Sequence, residues 1–542
     1  QMINNSGSPT ATPSMAIRGF SSINAGTSPL IIVDGSPYDG GWNNLNPNDV
    51  ENITVLKDAA SNALYGARGA NGVVMITTKK GKSEKATITF DSRWSVNSRA
   101  TIDYDYVKDP AQYYEMHWSA LYNYYMRDRG MTPYEAHRQA NANLGGATAD
   151  GGLGYLTYTV PDGEYLIGTN GRMNPHATKG RRIYYNGKVY TAAPDSWLDE
   201  AFRHSLRQEY NLNLTGGTDK LSFYGSIGYL DNQGIVYNSD FERATVRLKA
   251  DYQAKDWLKV GANMNYAHST SDDVGDGSGT SLFGITNTMA PIYPVYLRDG
   301  DGNIMTDENG KMYDYGSGEL GGLNRPVLSR NNPLQENALN TDRTIGNNLT
   351  LNGTVTSGES HYTSTQQGFY GYGKTAYPSG YIYKYNSLVY ALNFQQIVNY
   401  TKQFGRHNVS VMAGHENYDY RSEWMSGDRE GLFSYFDAQE LSAAIKIKEN
   451  AGSSSRYNTE GWFSRAMYNL DEKYFLSASY RRDASSRFHP DHRWGNFYSF
   501  GGAWIASKED WFKVSWIDML KVKASWGQQG NDAIGDYRYT DT

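Results

Sequence analysis

Short segments in which apolar and polar side chains alternate recur along most of this chain, from Ala86 to Trp526. In the segment 244–252 every second side chain is apolar, and the polar positions between them include Arg247 and Lys249. A period of two indicates a β-strand with one apolar face, and roughly 9–11 residues is the length that crosses a bilayer as a tilted strand. Charge facing lipid is costly, so Arg93, Arg247 and Lys249 are expected to face a polar interior. The same alternation recurs in the segments 88–96, 221–229, 258–266 and 520–526.

The connections between these segments alternate between short and long. Counted along the chain, they predict about thirteen strands, the odd-numbered ones running outward. Tyr229, Tyr252, Tyr266, Trp257 and Trp526 lie near strand ends, as in the aromatic girdle of a membrane barrel. The predicted short links are 216–219, 253–256, 357–359, 402–406 and 470–473. The predicted long loops are 97–206, 230–242, 267–344, 371–386, 416–460 and 482–496.

A soluble β-sandwich or solenoid is the alternative, since it also has one apolar and one wet face. Loops of tens of residues at every second connection are uncommon in compact soluble domains, which favours the barrel. The mean hydropathy is −0.66, and no run of 18 apolar residues predicts a membrane helix. A net charge of −6 gives no basic excess for nucleic acid. The absence of cysteine excludes disulfides and thiolate metal sites.

The stretch 29–82 has a different pattern and predicts a small α/β unit before the strands. Leu30–Val33 is a short buried strand that ends at the turn pair Asp34-Gly35. A second strand is expected around Ile53 and Val55, and a third over residues 73–76. Between them, Asp58 occupies an N-cap position before an alanine-rich helix that Gly66 ends.

That stretch resembles the plug domain of SusC-like TonB-dependent outer-membrane transporters, the SusC/RagA-type family. The resemblance rests on the Val-Asp-Gly turn, the ordered run 49–81 and the upstream segments 17–19 and 22–25. It resumes in the strands at 468–474, 481–488, 494–495 and 521–527. The sequence departs from the family pattern at Ala484, His489 and His492.

The resemblance implies an antiparallel transmembrane β-barrel of about 22 strands when complete, with an α/β plug domain inside its lumen. We expect the plug at residues 1–82 and the first part of the barrel at 83–542, with a further N-terminal piece before residue 1. The plug motif residues are expected to have structural roles. They are Arg18, Gly19, Asp34, Gly35, Asp58, Tyr65, Gly66, Arg68, Gly69 and Gly72.

The family also implies a function: TonB-dependent import of oligosaccharides or oligopeptides across the outer membrane of a Gram-negative bacterium, of the Bacteroidota. Its expected partners are a SusD-like surface lipoprotein that forms a lid, and TonB with ExbB and ExbD, bound through a segment upstream of residue 1. The pairs are expected to assemble as a dimer of heterodimers. Two alternatives remain open at this point: uptake of metal chelates or cobalamin, and a non-transporting β-rich surface protein.

Aromatic and amide side chains on plug loops suit sugars or peptides, through ring stacking and amide hydrogen bonds. Tyr38, Trp42, Asn43 and Asn44 come after the Asp34-Gly35 turn and are predicted to bind substrate. The equally weighted alternative is that they pack against the barrel wall. The loops 267–344 and 416–460 are further candidates for ligand and lid contacts.

Other candidate sites favour structural interpretations. The glycine-rich run 66–72 comes after a helix and lacks the ending of a phosphate loop, so it predicts a turn. His489 and His492 have no third metal ligand nearby in sequence. The segment 299–303 departs from a calcium loop and predicts a turn between short strands. The sequence therefore predicts no enzyme activity, no metal and no cofactor.

Overall fold

The structure is a computed structural model. It describes residues 2–3, 7–17, 27–56, 63–81, 85–100, 105–255, 258–273, 282, 284, 288–307, 310–316, 318, 324–326, 332–339, 341–352, 356–367, 380–432 and 440–537. Within those residues, no helix has both the length and the apolar composition needed to cross a membrane.

Thirteen antiparallel strands form one large sheet, here called the wall, in which each strand pairs with the next along the chain. The prediction of about thirteen strands in an antiparallel barrel wall is confirmed. Asn48 and Gly66 of the plug contact Glu209 of the second strand and Asp483 of the eleventh, so the sheet is curled around the plug. The wall strands are Thr87–Asn97, Ser205–Gly217, Leu221–Asn232, Phe241–Lys255, Leu258–Asp272, Thr341–Asn352, Thr356–Gln367, Tyr381–Phe404, His407–Leu432, Ala444–Leu470, Tyr474–Ser485, Trp494–Ile505 and Lys521–Gly527.

The two faces of the wall differ as the alternation predicts. Large apolar side chains such as Ile88 and Phe90 are 70% and 64% exposed on the outer face. The inner face buries polar and charged side chains, including Glu209, Arg247 and Glu416, against the plug. An apolar outside and a polar inside suit a wall that faces lipid and encloses a wet lumen.

Several predicted connections differ from the structure. The segment 357–359 lies inside the strand Thr356–Gln367, so that prediction of a turn is wrong. The predicted loop 416–460 is also wrong, because most of it belongs to the strands His407–Leu432 and Ala444–Leu470. Both strands continue beyond the length that lipid requires. There the outer face is no longer apolar, so the alternation of apolar and polar residues that identifies a membrane-crossing strand is absent.

The long connections 98–204 and 273–340 also contain folded structure, and their described parts pack into one unit, here called the loop unit. Its core includes Tyr114, Trp118, Trp197, Ile292 and Tyr293. Its helices are Pro110–Arg127, Pro133–Asn143, Trp197–Ala201 and Pro333–Leu339. Its short strands are Tyr158–Thr159, Thr178–Lys179, Arg181–Tyr185, Lys188–Ala192, Thr306–Asp307 and Gly310–Lys311.

The two halves of the loop unit are joined by buried polar contacts as well as by the core. Arg298 donates to both oxygens of Asp195 at 2.6 and 2.9 Å, and Trp197 Nε1 donates to the Tyr293 carbonyl at 3.0 Å. Tyr155 Oη donates to Asp314 at 3.0 Å. These residues are about a hundred or more positions apart in sequence, so neither connection completes the unit alone.

The plug has a four-stranded mixed sheet at its centre. Leu30–Val33 pairs in parallel with Val73–Thr78, which pairs on its other side with Val50–Leu56. Asp34 and Gly35 have φ values of 49° and 91°, so they form the tight turn that pairs Val33 with Ser36. The three predicted strands and the turn are therefore present. The remaining strands before the wall are Met2–Ile3, Ser14–Met15 and Ser36–Pro37.

The helix predicted after Asp58 is only partly within the described residues. Residues 57–62 lie outside them, and the next described segment is a short 3-10 helix, Ala63–Arg68. Gly66 breaks this segment with φ 51° and ψ −124°, a conformation open to glycine. Gly66 thus interrupts the helical segment at the position of the predicted stop, and the helix before it stays a prediction. The predicted domain boundary at residue 82 also lies outside the described part.

Candidate functional site: the plug against the wall

Asp34 in the Val-Asp-Gly turn is a central attachment point between plug and wall. Its carboxylate accepts hydrogen bonds from Arg247 at 2.7 Å and Asn263 at 2.8 Å, and lies 3.2 Å from Lys249. Within the plug, it also accepts hydrogen bonds from the backbone N–H and the hydroxyl of Thr78. The turn therefore presents one carboxylate to two wall cations, as expected if Arg247 and Lys249 face inward.

Burial alone would raise the pKa of Asp34. The hydrogen bonds from Thr78 and the charges of Lys249 and Arg247 outweigh that effect and hold the pKa below its usual value. The Arg247 side chain is only 2% exposed, so each charge depends on the other for compensation. The contact therefore joins plug and wall with the Asp34 carboxylate ionised.

A second set of contacts holds the plug segment that precedes Val50. Arg243 donates to the carbonyls of Asn43 and Leu45, both at 2.9 Å. Asn46 donates to Asn211 at 2.8 Å, and Asn48 donates to Glu209 at the same distance. Amides and carbonyls on the plug thus meet matching partners on the second and fourth wall strands.

Arg68 forms the third attachment, on the opposite part of the wall. Its guanidinium donates to Glu416 at 3.0 Å and lies over the ring of Tyr418 at 4.6 Å. Arg481 donates to the same Glu416 carboxylate at 2.8 Å and to Asp483 at 2.6 Å. Two arginines and two carboxylates therefore neutralise one another in a site where the side chains of Glu416, Arg481 and Asp483 are each 6% exposed.

The other predicted plug motif residues lie close to these attachments. Gly66 packs against Asp483. The Gly69 N–H donates to the Gly66 carbonyl at 3.1 Å, and the Gly72 N–H donates to the Gly69 carbonyl at 3.0 Å, which continues the turn. Tyr65 Oη is 3.6 Å from the sulfur of Met75 in the plug sheet. Arg18, Gly19 and Asp58 lie outside the described residues.

The predicted substrate residues lie together on one plug loop but differ in exposure. Tyr38 and Asn44 are 8% and 4% exposed, and Tyr38 belongs to the small plug core. Trp42 packs against that core and remains partly exposed. Asn43 is also partly exposed, and its side chain donates to the Thr10 carbonyl at 3.1 Å. Their role in binding stays a prediction, with Trp42 and Asn43 the two available to a ligand.

Sequence reasoning missed the wall residues that receive the plug. Glu416 belongs to the predicted loop 416–460, and so does Tyr418, which donates a hydrogen bond to Asp39 of the plug. A signal was present: even-numbered positions from Glu416 to Trp424 combine polar and aromatic side chains with a period of two. That period would have extended the strand past the membrane.

The remaining candidate sites have structural roles. Asp299 accepts hydrogen bonds from the backbone N–H groups of Asp301 and Asn303, forming a turn between the bridged residues Arg298 and Ile304. His489 caps the short helical turn Pro490–His492. In the described part of the chain, no three His, Cys, Asp or Glu side chains are grouped as metal ligands.

Comparison with known proteins supports the family resemblance. Residues 1–73 match the family model described as the TonB-dependent Receptor Plug Domain. The TonB-dependent receptor SusC of Bacteroides thetaiotaomicron is 27% identical over 99% of this chain and 49% of its own length. A TonB-dependent receptor of Formosa agariphila is 28% identical over 99% of this chain and 46% of its own. The chain spans about half the length of these curated relatives.

Solved structures show the same fold. The RagAB peptide importer in its "closed-closed" state matches 99% of this chain and 57% of its own, with a TM-score of 0.74 at 25% identity. A second structure, of the RagAB peptide transporter, has a TM-score of 0.74 at 23% identity and is 58% covered. The predicted resemblance is therefore confirmed: this chain is similar to SusC over almost its whole length, and the segment that matches the plug-domain model is seated against part of a β-barrel wall.

Proposed function

We propose that the protein imports oligosaccharides or oligopeptides across the outer membrane in a TonB-dependent manner, with the plug as its gate. The observation that carries the proposal is the chemistry of the plug's attachment. Asp34, Asn46 and Arg68 meet the wall through ion pairs and hydrogen bonds. When such contacts open into a wet lumen, water can solvate the separated charges. Opening an apolar interface would instead expose its whole area to water, with no new hydrogen bonds to offset the cost.

The partners belong to the same proposal. A SusD-like lipoprotein would cover the extracellular side, and TonB with ExbB and ExbD would pull on the N-terminal side of the plug. The similarity to SusC and to RagAB supports this assignment, as does the origin of the relatives in Bacteroides and Formosa for a Bacteroidota source. Copurification of the intact protein with a surface lipoprotein would test the lid. A metal-chelate importer would be recovered without one.

A locked plug tests the gate. Asn46 and Asn211 are hydrogen-bonded across the plug–wall boundary, and this chain contributes no cysteine of its own. The intact protein would carry Asn46→Cys with Asn211→Cys, joined by a disulfide or a short bifunctional thiol reagent. We expect growth on the transported nutrient to stop when the thiols are joined and to return after reduction of the disulfide.

Each single-cysteine variant, treated identically, is the control and should keep wild-type uptake. Uptake that continues through the doubly substituted, joined protein would contradict a plug that must move.

We also propose that Trp42 and Asn43 contact the ligand. Both are partly exposed on the loop after the Asp34-Gly35 turn. Trp42→Ala and Asn43→Ala are expected to weaken ligand binding by the intact protein in detergent. Leu45→Ala, a substitution in the adjacent plug core, controls for damage to the loop. Unchanged affinity in both variants would remove these residues from the site.

A further inference from the structure

Three neighbouring wall strands are much longer than a bilayer requires. Tyr381–Phe404, His407–Leu432 and Ala444–Leu470 contain 24, 26 and 27 residues, against roughly 9–11 for a tilted membrane crossing. The short turn Gly405-Arg406 joins the first two of these strands, and short turns lie on the periplasmic side of such barrels. The opposite ends therefore extend beyond the membrane on the extracellular side and form a continuation of the wall above the plug.

The inner face of this extension carries aromatic rings in successive rows, here called the aromatic wall. The ring of Tyr418, next to the plug, has its centroid 5.8 Å from that of Tyr457. Tyr457 pairs with Tyr420 in the next row outward, and their ring centroids are 5.0 Å apart. Further out, Tyr385 stacks on Trp424 at 5.8 Å with 25° between the rings. Trp424 is six residues beyond Tyr418 on the same strand, or roughly 20 Å along it.

Hydroxyl groups fill the spaces between these rings. Ser422 pairs with Ser455 between the row of Tyr420 and that of Trp424, and Ser453 lies directly opposite Trp424. Rings alternating with hydroxyls offer flat apolar faces and hydrogen bonds at little conformational cost. Tyr385, Tyr420 and Trp424 are each partly exposed, so their faces are available in the lumen.

Several charged groups on and beside the aromatic wall already have partners within the protein. Arg487 lies 3.7 Å over the Tyr457 ring and donates to Asp536 at 2.6 Å. Lys448 is paired with Asp428 at 3.2 Å, near the outer end. At the inner end Asp39 of the plug is exposed and accepts a hydrogen bond from Tyr418. A charged ligand would have to compete with these pairs, whereas an uncharged polyhydroxyl ligand would not.

We propose that the aromatic wall binds an uncharged oligosaccharide and leads it down to Asp39 on the plug. Sugar rings have apolar C–H faces that stack on Tyr and Trp, and hydroxyls that Ser422, Ser453 and the Asp39 carboxylate can bind. This inference rests on the proposed import function and selects oligosaccharides over peptides within it. No covalent step is involved.

Binding by the intact protein in detergent tests the inference, with neutral gluco-, manno- and xylo-oligosaccharides as probes and uncharged peptides of matched length in a parallel arm. Trp424→Ala and Tyr420→Ala are each expected to weaken binding of the best oligosaccharide about three- to tenfold, as expected for the loss of one aromatic contact. Trp424→Phe should retain most of the affinity. Tyr390→Ala, on the outer face and 37% exposed, is the matched control and should bind as wild type.

Binding of the peptides but of none of the oligosaccharides would overturn the inference, as would wild-type affinity in both Trp424→Ala and Tyr420→Ala. A general loss in Tyr390→Ala as well would also contradict it, since the effect would then not belong to the inner face. These outcomes leave the locked-plug experiment untouched, so the inference can fail while the import function stands.

Discussion

Gly66 of the plug touches Asp483 of the wall so closely that a methyl group on Gly66 would overlap the Asp483 carboxylate. Asp483 cannot simply move aside, because its other oxygen accepts from Arg481 at 2.6 Å and its side chain is 6% exposed. The contact joins the middle of the short Ala63–Arg68 segment to the charge network around Glu416.

Gly66→Ala should therefore unseat this part of the plug. Overpacking costs about 1–3 kcal/mol and would add to the cost of the positive φ. Gly35→Ala is the matched control, since Gly35 also has a positive φ but has open space where its Cβ would be. Protease digestion of the intact protein should cut the plug of Gly66→Ala faster than that of Gly35→Ala. Equal cutting rates would mean that the Asp483 contact does not position the plug.

Arg247→Met should destabilise the plug more than loss of an exposed pair. It leaves the Asp34 carboxylate, whose side chain is 10% exposed, with only Lys249 as a wall cation, so the cost should approach but not exceed that of an unpaired buried charge, about 3–5 kcal/mol. Arg343→Met breaks a pair whose arginine is 47% exposed and should cost less than about 1 kcal/mol. Denaturant unfolding of the intact protein measures both. Adding Asp34→Asn to Arg247→Met should recover part of the loss, and no recovery would argue against pairing.

The Asp34 contact should weaken in acid. Its pKa is held below the usual value of about 3.9, so its stabilising effect is present above that value and is lost as pH falls through the lower, native pKa. Plug protection from an acid-active protease should fall in this range for the wild type. In Asp34→Asn, protection from a neutral protease should be weaker at neutral pH, and protection from the acid-active protease should change less on acidification. Parallel curves for the two proteins would contradict a native Asp34 with a lowered pKa.

Arg298→Met should loosen the loop unit without affecting the plug. It removes both hydrogen bonds from Arg298 to Asp195, whose side chain is 11% exposed. Oδ2 still accepts from the Val295 N–H at 2.8 Å, but Oδ1 loses its arginine donor, and an unsatisfied buried acceptor costs about 1–3 kcal/mol. Hydrogen exchange should rise in the stretches 190–202 and 288–307. Arg182→Met breaks an exposed pair with Asp301 and should leave exchange unchanged. A rise confined to one of the two stretches would show that they open independently.

The fold could be predicted from the sequence where contact with lipid or a tight turn restricts which residues can occur. Alternation identified the wall strands and their faces, and Asp34-Gly35 identified a turn, because each rests on neighbouring residues. Arg68 and Glu416 are 348 positions apart, and no local pattern pairs them. The outer parts of the long strands were missed because, beyond the membrane, alternation is no longer imposed.

The loop unit was missed for a related reason, although local signals existed. Tyr114, Trp118, Leu121 and Tyr125 recur at helical spacing, and Thr132 with Glu135 forms a capping box. These signals indicate helices but not the surfaces on which they pack. Their core is completed by residues such as Tyr293 and Leu334, which belong to a different connection.

The shared core of the loop unit restricts how such proteins can exchange parts. A chimera that transplants only the segment between the first and second wall strands would separate Trp197 from Tyr293 and Asp195 from Arg298. Recombination between relatives should therefore succeed when both connections come from the same parent. Substitutions in one should co-vary with those in the other, despite the wall strands that lie between them in the chain.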